Sequence, residues 1–277
     1  MKRLGILLAA LATLALSPLA LAKTYVAGIE PSFPPWASVQ NGQYVGIAPD
    51  AVRAIAKEEG FNVKFTSMSF PSLIPALKAG KIDILVTGLT VTPKRAQQID
   101  FTIPWWETKL DVLVKKDSSS NIVTALCCGA NVGAQTGSTE YQWLKDNLVK
   151  QHTHVNVHAY AQDTTALQDL KIGRLQATVV DANTGRKFVE NNPKAVRLAG
   201  QINPYPPQSY ALAVQKGDPE GLLPKLNKGI MQLYKSGEWA KIVHKYIPGV
   251  AIVKVPAYMS NKVPSYHKPI PGLSESN

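Results

Sequence analysis

An arginine near the start of a helix is badly placed, because the helix dipole opposes a cation there. Thr92 and Pro93 read as the cap and first turn of a helix that contains Arg95. Its guanidinium is therefore read as gripping an anion, the alternative being a solvated surface arginine. The loop before it, residues 87–92, supplies Gly88 and Thr90. A carboxylate stands in a matching place elsewhere. Residues 77–88, LKAGKIDILVTG, are echoed by residues 170–181, LKIGRLQATVVD, and in that register Gly88 falls on Asp181. A third polar group, Gly137, Ser138 and Thr139, precedes another helix. It reads either as an anion site made of free backbone N–H groups or as an ordinary Ser/Thr cap. The first mature strand ends at Glu30, with Phe33 just beyond it in the loop EPSFPPW; Trp36 in the same loop is assigned to the core.

These residues need elements to hold them. Ile82, Ile84, Leu85 and Val86 form a short apolar run, as a strand covered on both faces would. Gly80 reads as the C-cap of the helix before it, which Ser69 to Ser72, including Phe70, opens. Leu77, Lys78 and Gly80 recur at Leu170, Lys171 and Gly173, so the chain is expected to hold two similar α/β domains. In open α/β sheets, ligands bind beyond the carboxyl ends of strands. One domain then offers Thr90 and Arg95, the other Asp181. A molecule with both an anion and a cation fits between them, and a free α-amino acid is the commonest such molecule. Crossovers are expected near residues 105–112 and 205–210. Asp50 is read as capping the helix that follows it, and Asp163 or Thr164 as capping the helix before the second repeat.

The ends of the chain read differently. Lys2 and Arg3, the apolar stretch 4–16 and Ala20-Leu21-Ala22 have the order of a cleaved signal peptide, residues 1–22. Residues 250–277, rich in Pro and Ser, read as a wrapping or frayed tail. Of a formal net charge of +11, removal of Lys2 and Arg3 leaves +9. The Lys and Arg residues are scattered, and no recognition motif accompanies them, so no nucleic-acid partner is expected. No metal and no other cofactor is expected either. His154 and His158 lack a carboxylate or Cys at ligand spacing. Cys127 and Cys128 are the only cysteines; an inter-chain bridge, free thiols and a vicinal bridge are all open.

Several motifs in order carry a resemblance. They are the Phe33–Trp36 loop, Gly46-x-x-x-Asp50, Leu77-Lys78-x-Gly80-x-x-Asp83, Gly88-x-Thr90-x-Thr92-x-x-Arg95, Asp100-Phe101, Gly137-Ser138-Thr139 and the strand ending in Asp181. Together, over residues 23–247, the chain resembles the periplasmic solute-binding proteins of polar amino-acid ABC importers. The resemblance implies the type II periplasmic-binding-protein fold, an α/β fold of two domains joined by two crossovers. Residues 23–108 and 208–277 would form the first domain and residues 109–207 the second. It implies a monomer that closes on an amino acid in the periplasm and delivers it to a membrane permease. Arg95, with the N–H groups of Thr90 and Thr139, would hold the α-carboxylate, and Ser138 belongs to that loop. Asp181, the Thr90 hydroxyl and the Gly88 carbonyl would hold the α-ammonium. Phe33 and Phe70 would sandwich the side chain, with Glu30 and Gln135 facing its far end. Glu30 then favours a basic or polar ligand. A sensory receptor is one alternative. Secreted cyclohexadienyl dehydratases are another, since they resemble these receptors; the position of their catalytic Glu is Thr184 here, and no catalytic residue is expected.

Overall fold

The structure is a computed structural model that describes residues 22–204 and 207–252. The expected signal peptide, except Ala22, and the tail beyond Ile252 lie outside the described residues.

Two five-stranded sheets share one topology. In the first, the strands run in the order Asn62–Ser67, Thr24–Ile29, Ile84–Leu85, Ala213–Gln215, Ile99–Phe101. In the second they run Asn156–Tyr160, Asn131–Gln135, Ala177–Asp181, Leu110–Lys115, Val196–Ile202. In each sheet the first three are parallel, and the fourth is antiparallel to both neighbours. That fourth strand is in each case the one the chain makes on arriving from the other sheet. The repeat seen in the sequence is this shared plan. Both matched segments are a helix end, a glycine at positive φ (Gly80 at 66°, Gly173 at 83°) and then the third parallel strand.

Apolar alternation explains why each sheet is covered on both faces. Ile84 and Val86 pack with Ala27, Trp36 and Trp105 on one side of the first sheet. Ile82 and Leu85 pack with Leu73, Leu77 and Ile99 on the other. In the second sheet Val112, Val132 and Val179 face one core, while Leu113 and Val180 face a second. Tertiary packing thus stabilises strands as short as Ile84–Leu85.

Between the sheets, Trp106–Thr108 pairs antiparallel with Gln208–Tyr210. This ribbon is where the chain passes out of the first sheet and back, inside the crossover regions expected from the sequence.

Two local readings change, and one that was open is decided. The first long helix runs Ile47–Glu58 and is capped by Gly46; Asp50 sits in its first turn and instead receives Arg53, Lys245 and Tyr246. The helix Asp163–Lys171 has Gln162 at its cap with no side-chain capping bond, so neither Asp163 nor Thr164 caps it. Cys127 and Cys128 are bridged to each other. Among the described residues no group of three His, Cys, Asp or Glu could hold a metal ion, and no helix is long and apolar enough to cross a membrane.

Candidate functional site

Residues that follow the carboxyl ends of parallel strands in both sheets line one shared, narrow cleft. Glu30 follows Thr24–Ile29, Gly88 and Thr90 follow Ile84–Leu85, and Gln135 ends Asn131–Gln135. Of the ten residues expected at the site, nine line this cleft: Glu30, Phe33, Phe70, Gly88, Thr90, Arg95, Gln135, Ser138 and Thr139. Asp181 does not. Glu140, Asp163 and Tyr210 line it too, although none of them is expected at the site from the sequence.

One end is built around Arg95. Thr92 caps the short helix Pro93–Ala96 by accepting the Arg95 N–H at 3.2 Å, which fixes the arginine's backbone. Its side chain is only 8% exposed. One terminal nitrogen donates to the Thr90 carbonyl at 2.6 Å and the other crosses the cleft to the Gly137 carbonyl at 3.0 Å. The guanidinium also lies over the Phe70 ring, 5.4 Å from its centroid. Burial lowers its pKa to about 10, against the pull of Glu140 and Tyr210, so it is charged at neutral pH. Ser138 caps the helix Thr139–Leu144 by accepting the Tyr141 N–H, and the hydroxyls of Thr90 and Thr139 are 3.4 Å apart across the cleft. Burial pushes the Glu140 carboxyl up, while its own N–H, Ser138 and Arg95 oppose that.

The other end is acidic and short of partners. Glu30 is 1% exposed. One of its oxygens accepts from Ser32 at 3.1 Å and from Gln135, across the cleft, at 2.6 Å. The same Gln135 nitrogen also donates to the Ala161 carbonyl at 3.2 Å. The second Glu30 oxygen, Oε2, is buried with no partner. Burial raises the Glu30 pKa to about 7, with Gln135 and Ser32 opposing. Asp163, 3% exposed at the start of the helix Asp163–Lys171, also has a buried oxygen, Oδ1, without a partner. Burial, then Glu140 and Glu30, push its carboxyl well above the usual range.

The aromatic walls join the two ends. Phe33 is held by the Ser32–Phe33 strand pairing with Ala37, while Trp36 is fully buried in the core as expected. Gly88 must be glycine here: a Cβ would stand 2.5 Å from Phe33 Cε1 and 2.8 Å from Tyr210 Cε2.

Asp181 lies behind Tyr210, which is why it is absent from the wall. It caps the helix Ala182–Asn191 by accepting the N–H groups of Asn183 and Thr184 on Oδ1. Its Oδ2 accepts from Tyr210 at 2.6 Å and from the Thr108 hydroxyl. Thr184 is buried and does not line the cleft. The arrangement suits a small zwitterion: a fixed cation at one end, carboxylates at the other, and two phenylalanine faces between.

A family model described as bacterial extracellular solute-binding proteins, family 3, matches residues 25–249. ABC transporter arginine-binding protein 1 of Escherichia coli (strain K12) is 30% identical over 225 residues, which cover 80% of this chain and 89% of that protein. The L-arginine-binding protein of Pseudomonas aeruginosa is 33% identical over 253 residues, 89% of this chain and 96% of that one. An ancestral arginine-binding protein, solved bound to arginine, has a TM-score of 0.75 at 36% identity, covering 82% of this chain and 99% of the other.

Proposed function

We propose a function from the family: the chain belongs to the bacterial extracellular solute-binding proteins, family 3. It is the substrate-binding component of an ABC transporter for amino acids. Our reading of its ligand is a basic L-amino acid, arginine or lysine ahead of glutamine. The two α/β units, residues 23–108 with 208–277 and residues 109–207, close on it about the Trp106–Thr108 and Gln208–Tyr210 ribbon. Delivery to a membrane permease, a monomeric state and release into the periplasm after loss of residues 1–22 complete the proposal.

The observation that carries it is the buried Arg95 guanidinium, held on two carbonyls from the two sides of a cleft whose far end is acidic. A guanidinium fork matches a carboxylate in two parallel bonds. The α-carboxylate belongs there, beside Thr90 and Thr139. The α-ammonium belongs against the Gly88 carbonyl and the Thr90 hydroxyl, with Asp181 as the anion behind them. Asp181 already accepts four bonds, so direct contact requires the Tyr210 or Thr108 hydroxyl to yield its place. Four or five charge-assisted bonds offset by ordering costs correspond to roughly −8 to −10 kcal/mol, micromolar or tighter.

Mass spectrometry of whatever small molecule co-purifies is the test. A basic amino acid is expected. A thermal-shift panel on refolded, ligand-free protein checks it, and stabilisation by glutamate or leucine but by no basic or amide amino acid would overturn the ligand assignment. We read the chain as a binder and not an enzyme, because Thr184 stands where a dehydratase would carry its Glu. Phenylalanine or phenylpyruvate formed from arogenate or prephenate would refute that.

A further inference from the structure

Three carboxylates line the cleft, Glu30, Glu140 and Asp163, against one guanidinium, Arg95. Glu140 accepts from the Thr139 hydroxyl at 3.3 Å. The other two are left at the far end, each with a buried oxygen that accepts nothing, Glu30 Oε2 and Asp163 Oδ1. A buried carboxylate oxygen without a donor is costly, so such a pair needs a donor from outside. Among the described residues no three His, Cys, Asp or Glu lie close enough to hold a metal, and an organic cation with several N–H donors suits two such oxygens.

The two oxygens come from different sides. Glu30 directly follows the strand Thr24–Ile29 of the first sheet. Asp163 opens a helix of the second unit, and that helix packs across the boundary against the Ser32–Phe33 strand beside Glu30. Gln135 occupies the place between them, donating to Glu30 and to the carbonyl of Ala161, two residues before Asp163.

We infer that Asp163 is the specificity-determining residue of the second unit, forming with Glu30 a two-carboxylate clamp on the cationic end of the ligand side chain. The inference rests on the reading of the cleft as an amino-acid site and adds to it a residue and a geometry. A guanidinium presents N–H groups in several directions in one plane and can reach both oxygens at once. A primary ammonium does so with three donors on a shorter head. The side-chain charge therefore bridges the two units, as Arg95 does at the other end.

Citrulline is the probe, because it keeps the shape of arginine and lacks the charge. Calorimetric titration of the wild type should give arginine an advantage over citrulline of about 100-fold. Asp163→Asn should bind arginine at least about 10-fold more weakly while citrulline changes little, and Glu30→Gln should do the same. Asp163→Asn binding arginine like the wild type, or losing arginine and citrulline by equal factors, would overturn the clamp. If Asp163→Asn does not fold, Asp163→Ser is titrated with the same two ligands and judged by the same outcomes; equal binding of arginine and citrulline by the wild type also overturns the clamp. Glutamate binding in preference to arginine would mean that protonated carboxyls act as donors here, and would also overturn it while sparing the amino-acid site. Binding of no amino acid at all by the wild type would instead refute the site.

Discussion

At the Arg95 end of the cleft the charged group is anchored on two carbonyls, whereas at the Glu30 end two carboxylate oxygens have no partner. The geometry of the first end is fixed by a cap and by backbone carbonyls. At the second, two buried oxygens lack donors and burial raises both carboxyls. On the proposed reading of the cleft as an amino-acid site, the difference separates recognition of what all amino acids share from recognition of what distinguishes them.

The largest effect should follow from breaking the Arg95 end. Arg95→Lys removes the fork that reaches both Thr90 and Gly137 and leaves a point charge. Binding should weaken by about 3 kcal/mol for every amino-acid ligand alike. Calorimetry with arginine and glutamine checks this. A loss confined to arginine would erase the contrast between the two ends.

Asp181→Asn comes next, at about 2 kcal/mol, because it withdraws the anion behind Tyr210. The asparagine oxygen can still cap the helix Ala182–Asn191, so the variant should fold. Unchanged affinity at unchanged melting temperature would reduce Asp181 to a helix cap.

The acidic end should show itself through pH. Burial pushes the Glu30 carboxyl up to about 7, with Gln135 and Ser32 opposing and Glu140 adding to it. Asp163 faces it and is raised too. The folded protein therefore holds the Glu30 proton more tightly than the unfolded chain does. That contribution to stability is complete below the ordinary carboxylate range and is lost as pH rises through about 7. A cationic ligand reverses the preference, since it favours the ionised form. Arginine affinity should fall as pH drops below about 7, by up to roughly tenfold per unit for one proton taken up. Glutamine affinity should fall less, and Glu30→Gln should flatten the arginine profile.

What the sequence disclosed follows the same line. The Arg95 end was legible because it is local: Thr92, Pro93 and Arg95 lie within four residues, and a cation in a helix's first turn is anomalous on its face. The shared topology was legible because Leu77-Lys78-x-Gly80 repeats. Asp163 was not, because an acidic residue at a helix start has an ordinary reading as a cap. Only the three-dimensional placement shows Gln162 at the cap and the carboxylate turned to the cleft. Tyr210 lies in a crossover with no periodic pattern, and its role depends on Asp181, 29 residues away in sequence. Glu140 follows directly on Gly137-Ser138-Thr139, so its neighbours were named and it was passed over.

The smallest effect is expected at the bridge between Cys127 and Cys128, and its smallness tests where the site ends. The pair precedes Asn131–Gln135 at the strand's amino end, while Gln135 reaches the cleft at the carboxyl end. Four residue steps along a strand put roughly 13 Å between Asn131 and Gln135. Contacts at the cysteine end are to neighbouring backbone: the Gly129 N–H donates to His154 and the Ala130 N–H to Cys127. A bridge between adjacent residues closes the shortest of loops, so it constrains the unfolded chain little, on the order of 1 kcal/mol. Replacing both cysteines with serine should therefore lower the melting temperature by about 2–4 °C and leave arginine affinity within a factor of about two. A tenfold change in affinity without a comparable loss of stability would mean that the amino end of this strand communicates with Gln135. The acidic end of the cleft could not then be treated as set by Glu30, Gln135 and Asp163 alone.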